Sequence, residues 1–235
     1  MVIALAVVLL AALLFFELRG QRPLRLVAKA ALSTLFVVTA ATRALSPAGA
    51  TGFAWTIVTA MVLCLVGDVC LALPLTRGAR SGTDPEDEEE SRSSFPWFLA
   101  GLAAFLLGHV GYVVAFFSAG RVNALTWLGA LVTTVVSATV FRWLSPRLGR
   151  MRVPVLAYVT VITLMVIGAW TVAGTTEISP LGRGLVIWGA LLFFVSDLFV
   201  ARQRFVSPGR VNAVIGLPLY YAGQFLIAFS PGLLA

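Results

Sequence analysis

Residues 51–74, TGFAWTIVTAMVLCLVGDVCLALP, hold a single charged side chain, Asp68, in a run long enough to cross a lipid bilayer. A helix needs ~20 apolar residues to cover the hydrocarbon core, where no water is present to satisfy an irregular backbone. The rest of the chain repeats the pattern. Further segments at 2–17, 24–44, 96–118, 123–144, 153–173, 183–203 and 211–232 bring the total to eight. Between them lie breakers such as SPAGATG (46–52), SPRLGR (145–150) and SPGR (207–210). A 235-residue chain that is 60% hydrophobic and 11% charged, with a mean hydropathy of +0.97, is not a soluble domain. The expected fold is all-α, a single integral membrane domain over 1–235 built as a polytopic bundle of eight transmembrane helices.

The net charge of +7 does not point to nucleic acid, because the basic residues form no single patch. They sit in the connections. Arg19, Arg22 and Arg25 follow the first segment, and Arg77, Arg80 and Arg92 follow the third. Arg142, Arg147, Arg150 and Arg152 follow the fifth, and Arg202, Arg204 and Arg210 the seventh. The opposite connections and their flanks carry only Arg43, Arg121 and Arg183. The positive-inside rule then puts the odd-to-even connections in the cytoplasm and both termini outside, in what is expected to be a bacterial inner membrane. The first segment lacks the basic leader and cleavage site of a signal peptide. The connection at 76–95 carries six acids between Asp84 and Glu90 and reads as a solvated cytoplasmic loop. Cys64 and Cys70, six residues apart on one helix, point in different directions and read as buried small hydrophobes.

A weak repeat relates the two halves. Gly67-Asp68 and Ser196-Asp197 lie near the cytoplasmic ends of helices 3 and 7. Gly108-His109 with Ala115-Phe116, and Gly223-Gln224 with Ala228-Phe229, lie in helices 4 and 8. The halves would be four-helix units of like orientation.

Four ionisable side chains fall well inside the apolar segments: Lys29, Asp68, His109 and Asp197. At a helix centre each Asp or Lys costs roughly 2.5–3.5 kcal/mol on insertion scales unless paired or hydrated. Both aspartates are expected ~9 Å inside the cytoplasmic boundary, counting 1.5 Å of rise per residue. Tyr112 shares a helix face with His109, and Tyr221 shares one with Gln224, so these residues could line one polar cavity. Two carboxylates at one level allow a general acid and a general base without a metal. Structural alternatives stand beside this reading: a Lys29–Asp68 pair joining two helices, a lysine that snorkels, and interhelical hydrogen bonds from His109 and Gln224. A hydrolytic zinc needs three ligands, commonly histidines, and the best set here is His109 with the two aspartates, so neither metal nor cofactor is expected.

Four stretches resemble the YhhN-like lysoplasmalogenase family: LVGDVCLALP (65–74), FLLGHVGYVVAF (105–116), GALLFFVSDLFVARQRF (189–205) and YYAGQFLIAFS (220–230). Lys29 looks like that family's early lysine, while the acidic run at 84–90 is longer than expected for a compact member. The resemblance implies hydrolysis of the vinyl ether bond of lysoplasmalogens, releasing a fatty aldehyde and glycerophosphocholine or glycerophosphoethanolamine. It implies a lysophospholipid substrate among membrane lipids, with the oligomeric state open. Asp68 would be the acid and Asp197 the base, an assignment the sequence does not settle. His109, Tyr112, Tyr221 and Gln224 would orient water and substrate, and Lys29 would face the phosphate. The alternatives are a hydrolase of another lysolipid and a proton-coupled transporter with the aspartates as relays.

Overall fold

The computed structural model describes residues 1–46, 51–73 and 85–234, with the backbone alone for 85–95. It contains α1 (Val2–Arg19), α2 (Arg22–Ala44), α3 (Gly52–Ala72), α4 (Pro85–Ala119), α5 (Ala124–Leu144), α6 (Arg152–Ala173), α7 (Pro180–Phe205) and α8 (Arg210–Phe229). No strand occurs among the described residues. Each helix is long and apolar enough to cross a membrane, and the chain is an integral membrane protein.

The boundaries follow local chemistry. Gly20, in the left-handed conformation at φ 68°, closes α1: its N–H bonds the Glu17 carbonyl while the Gln21 N–H reaches Phe16. Thr51, Asn123 and Ser179 cap the starts of α3, α5 and α7, each accepting a backbone N–H on its side-chain oxygen. These three caps lie on the arginine-poor face. On the arginine-rich face α2, α6 and α8 begin on Arg22, Arg152 and Arg210 with no side-chain cap. One boundary departs clearly from expectation. Helix α4 starts at Pro85, so 85–95, expected as loop, continue the helix below its apolar span from Pro96. Residues 76–84, and the acidic side chains beyond them, lie outside what is described.

Helix α3 packs along α4, and α7 along α8, more extensively than any other pair. Glycines permit this close approach. A Cβ on Gly108 would lie 2.8 Å from Cys64 Sγ, and one on Gly223 would lie 2.8 Å from the Gly189 carbonyl oxygen. The two halves meet where α2 packs on α8 and α4 on α6, while α5 rests chiefly on α6. Its outer face shows Trp127, Leu128, Leu131 and Val135. An exposed apolar surface of this extent fits lipid rather than water. The two sparse-face arginines that flank α2 and α4 make structural bonds: Arg43 donates to the Phe229 carbonyl at 3.1 Å, and Arg121 pairs with Glu177 at 3.0 Å.

Candidate functional site

Helix α2 contributes Lys29 and Ser33, one turn apart on one face, and α3 brings Asp68 against them. Lys29 Nζ lies 3.0 Å from Asp68 Oδ1. Asp68 Oδ2 accepts two hydroxyls, Ser33 Oγ at 2.5 Å and Tyr220 OH at 2.6 Å. The carboxylate is 2% exposed and its partner ammonium 15%. A charge this deep requires such partners, since an unpaired one costs several kcal/mol. The pairing read as one alternative for Lys29 is therefore present, and its ammonium is taken up by Asp68.

From this node a hydrogen-bond chain runs into the core. Tyr220 OH accepts from Gln224 Nε2 at 3.3 Å, and Gln224 Oε1 accepts from Tyr112 OH at 2.6 Å. Tyr221 OH lies 3.2 Å from Ser33 Oγ and 3.4 Å from the Lys29 carbonyl. Helices α2, α3, α4 and α8 thus join Lys29, Asp68, Tyr112, Tyr221 and Gln224 in one network.

Asp197 and His109 form a second node. Asp197 Oδ2 accepts Tyr158 OH at 2.6 Å and faces His109 Nε2 at 4.0 Å. His109 Nδ1 is 2.6 Å from the Phe105 carbonyl and must donate to it. In the neutral ring the proton is therefore on Nδ1, and the Nε2 lone pair faces Asp197. This nitrogen is buried and has no hydrogen-bond partner among the described residues. The His109 ring is held edge-on by Tyr158 at 5.2 Å and against Phe193 at 4.7 Å. Phe193 in turn packs on Tyr220 at 5.2 Å, linking the walls of the two nodes.

Both aspartates open into one cavity of about 1190 Å³. Its wall is largely apolar, with Leu13, Leu102, Phe105, Val140, Leu144 and Ile162 among its residues, and Lys29, Tyr158 and Tyr220 also line it. Asp68 lies four residues before the end of α3 and Asp197 eight before the end of α7, about 6 Å and 12 Å along the axes.

Three residues of the site lie outside the expected set: Ser33, Tyr158 and Tyr220. Ser33 is one turn from Lys29, and Tyr220 one turn from Gln224, so face-sharing could have found both. For Tyr158 the available signal is a lone phenol in an otherwise apolar span.

Comparison with known proteins places the chain in context. The YhhN family model matches residues 24–231. The lysoplasmalogenase TMEM86B of Mus musculus is 29% identical over 195 residues, covering 81% of this chain and 70% of its own length. The human TMEM86B lysoplasmalogenase is 30% identical over 186 residues, 79% of this chain and 66% of its length. A lysoplasmalogenase of Mycobacterium bovis is 30% identical over 151 residues, 57% of this chain and 52% of its length. The match thus spans between about half and seven tenths of these relatives. No solved structure matches the chain. With the family model covering nearly all of it, the chain belongs to the YhhN family.

Proposed function

We propose that this protein is a lysoplasmalogenase-like hydrolase that cleaves the vinyl ether of an alkenyl lysophospholipid to a fatty aldehyde and a glycerophosphodiester. The observation that carries the reading is the convergence of Asp68 and Asp197 on one apolar cavity. The names of the relatives support it.

Vinyl ethers hydrolyse by protonation at the carbon distal to oxygen. A carboxylic acid gives its proton to that carbon, and the C=C pair forms the new C–H bond. The oxocarbenium ion that remains is captured by water, which loses a proton to a base. The hemiacetal then collapses to aldehyde and alcohol, so the net reaction consumes one water. An ionised carboxylate near the cation lowers the barrier by complementing charge that exists only along the path.

The partners of the two aspartates favour a definite division, the reverse of the first assignment from sequence. Asp68, between an ammonium and two hydroxyls, has the partners an ionised carboxylate takes, and complements the oxocarbenium charge. Asp197, with Tyr158 as its hydroxyl donor, gives the proton and then recovers one from water. The lone pair of His109 Nε2 orients that water. Tyr112 and Gln224 hold Tyr220 in register, and Tyr221 braces Ser33. In this reading the arginine-rich face is cytoplasmic, both termini lie outside, and the membrane is a bacterial inner membrane.

Aldehyde release from an alkenyl lysolipid by purified protein in neutral detergent tests the proposal. Asp197→Asn and Asp68→Asn are each expected to lower kcat at least about 100-fold. Full activity in both folded variants overturns the mechanism. Proton-coupled uptake into liposomes without aldehyde release overturns the hydrolase.

A further inference from the structure

Asp68 and Asp197 stand at the inner end of the cavity. Asp68 is the innermost residue of α3 that lines it and Tyr220 the innermost of α8, while on α7 only Phe194 and Ser196 lie deeper than Asp197. Beneath them the bundle is packed: Cys64, His109, Tyr112, Met165, Ala190 and Gln224 are each at most 1% exposed. The aliphatic chain of a lysolipid continues past the vinyl ether, and here it meets no straight path toward the arginine-poor face. The chain has to turn at the carboxylates.

Two walls are within reach, and they differ in chemistry. The wall made by α1 and α2 carries Glu17, Arg25 and Lys29. The wall made by α4, α5 and α6 carries Leu102, Phe105, Val140, Leu144, Val159 and Ile162. Its three stripes run over 98–105, 137–144 and 155–162, each on one helix face and ~10 Å long. The polar side chains on this wall are already engaged: Ser137 accepts from Thr163 Oγ1 at 2.7 Å, and Tyr158 donates to Asp197. An alkyl chain laid here desolvates no charge, whereas on the α1–α2 wall it would desolvate three.

The apolar wall is also one helix thick. Among the described helices α5 packs extensively on α6 alone, and its other face is the exposed surface of Trp127, Leu128, Leu131 and Val135. Two levels hold it to α6, the Ser137–Thr163 bond and the buried cluster of Leu144 with Val155. Between these levels Val140 and Val159 line the cavity, half-buried.

We propose that this α4–α5–α6 wall is the subsite for the aliphatic chain. The lysolipid lies bent across the bundle, with its glycerol on the Lys29 side and its chain passing Val140 and Val159 toward the lipid beside α5. The proposal rests on the hydrolase reading above and assigns the orientation of its substrate. Direction follows from the roles of the carboxylates. Asp197, joined to Tyr158 of α6, protonates the carbon that bears the chain, while Asp68 beside Lys29 faces the cation on the oxygen side.

A chain already in detergent or lipid gains little from an apolar wall, so the subsite acts by shape, and filling it is the test. Alkenyl lysolipids with one headgroup and either a hexadecenyl or a butenyl chain would be compared by aldehyde release in neutral detergent. Val140→Trp and Val159→Trp should each lower the hexadecenyl-to-butenyl ratio of kcat/KM about tenfold by overpacking the wall. Val135→Trp, on the lipid face of α5, should leave the ratio unchanged. An unchanged ratio in both folded wall variants overturns the subsite and leaves the hydrolase standing. Aldehyde from neither chain with the unsubstituted protein overturns the hydrolase itself. A saturated alkyl ether lysolipid carrying a diazirine in mid-chain supplies a readout without turnover or substitution. Irradiation should label peptides of α5 and α6, and excess unlabelled lysolipid should displace that label. Displaceable label elsewhere, as on α1 and α2, overturns the proposal, and so does label on α5 that is not displaced.

Discussion

Lys29 and Asp68 show how a costly residue becomes an inseparable pair. The ammonium at 3.0 Å offsets the charge of a carboxylate that is 2% exposed, so removing either alone strands the other in a dry site. Lys29→Met is expected to lower stability by roughly 3–5 kcal/mol. The double variant with Asp68→Asn should recover a large part of that loss, as thermal unfolding in detergent would show. Tyr158→Phe has a different signature. It removes one hydroxyl from Asp197, with a modest stability cost of ~1 kcal/mol, and should lower kcat about tenfold or more. A Tyr158→Phe enzyme with unchanged kcat would detach Asp197 from proton transfer. At this scale the charged residues were legible because charge at bilayer depth has no cheap explanation. The serine and threonine hydroxyls were not. Thr39, Thr56, Thr59, Thr139 and Thr160 all turn back on their own helix, donating to the carbonyl four residues earlier. Ser33 instead crosses to Asp68. Nothing in the residue type separates these fates, because local back-bonding is always within reach.

Helices set the precision with which these groups meet. Tyr220, Gln224 and Asp197 depend on the approach of α8 to α7, where Gly223 and Gly189 let the backbones touch. A Cβ at Gly223 would meet backbone on two sides, the Gly189 oxygen at 2.8 Å and the Phe193 nitrogen at 3.0 Å, with no flexible side chain to yield. Gly223→Ala is expected to cost ~1–3 kcal/mol by overpacking. It should reduce aldehyde release well beyond what that loss of folded protein explains, because α8 carries three members of the Asp68 network, Tyr220, Tyr221 and Gln224. Asn123→Ala, which removes the capping box at the far end of α5, should cost ~1 kcal/mol and leave aldehyde release intact. Spans were readable to within a few residues from the apolar runs, since the bilayer imposes a length. The start of α4 was not, because six acids in seven positions read as solvated chain whether or not the backbone is coiled.

Across the whole molecule the usual arrangement of a globular protein is inverted. Polar groups gather in the middle, and the flanks of α5 present tryptophan and leucine outward. The alternation of arginine-rich and arginine-poor connections gives this bundle its expected orientation. Cysteines placed at Gly149 and Gly209 should stay unlabelled by an impermeant maleimide in intact cells, while those at Val122 and Thr176 should react. The reverse pattern would turn the molecule over and move the arginine-rich face to the other side of the membrane. What no reading of runs and loops could supply is which helices touch. That α2 reaches α8, and α4 reaches α6, depends on side-chain packing between segments distant in the chain.

The chain has four tyrosines, and Tyr112, Tyr158, Tyr220 and Tyr221 are all members of the two nodes. An isotope incorporated through tyrosine therefore marks these two nodes and nothing else. In detergent micelles a sample labelled at tyrosine Cζ would yield four resonances, each a witness to a bound lipid, with the lipid-facing bulk of the bundle silent.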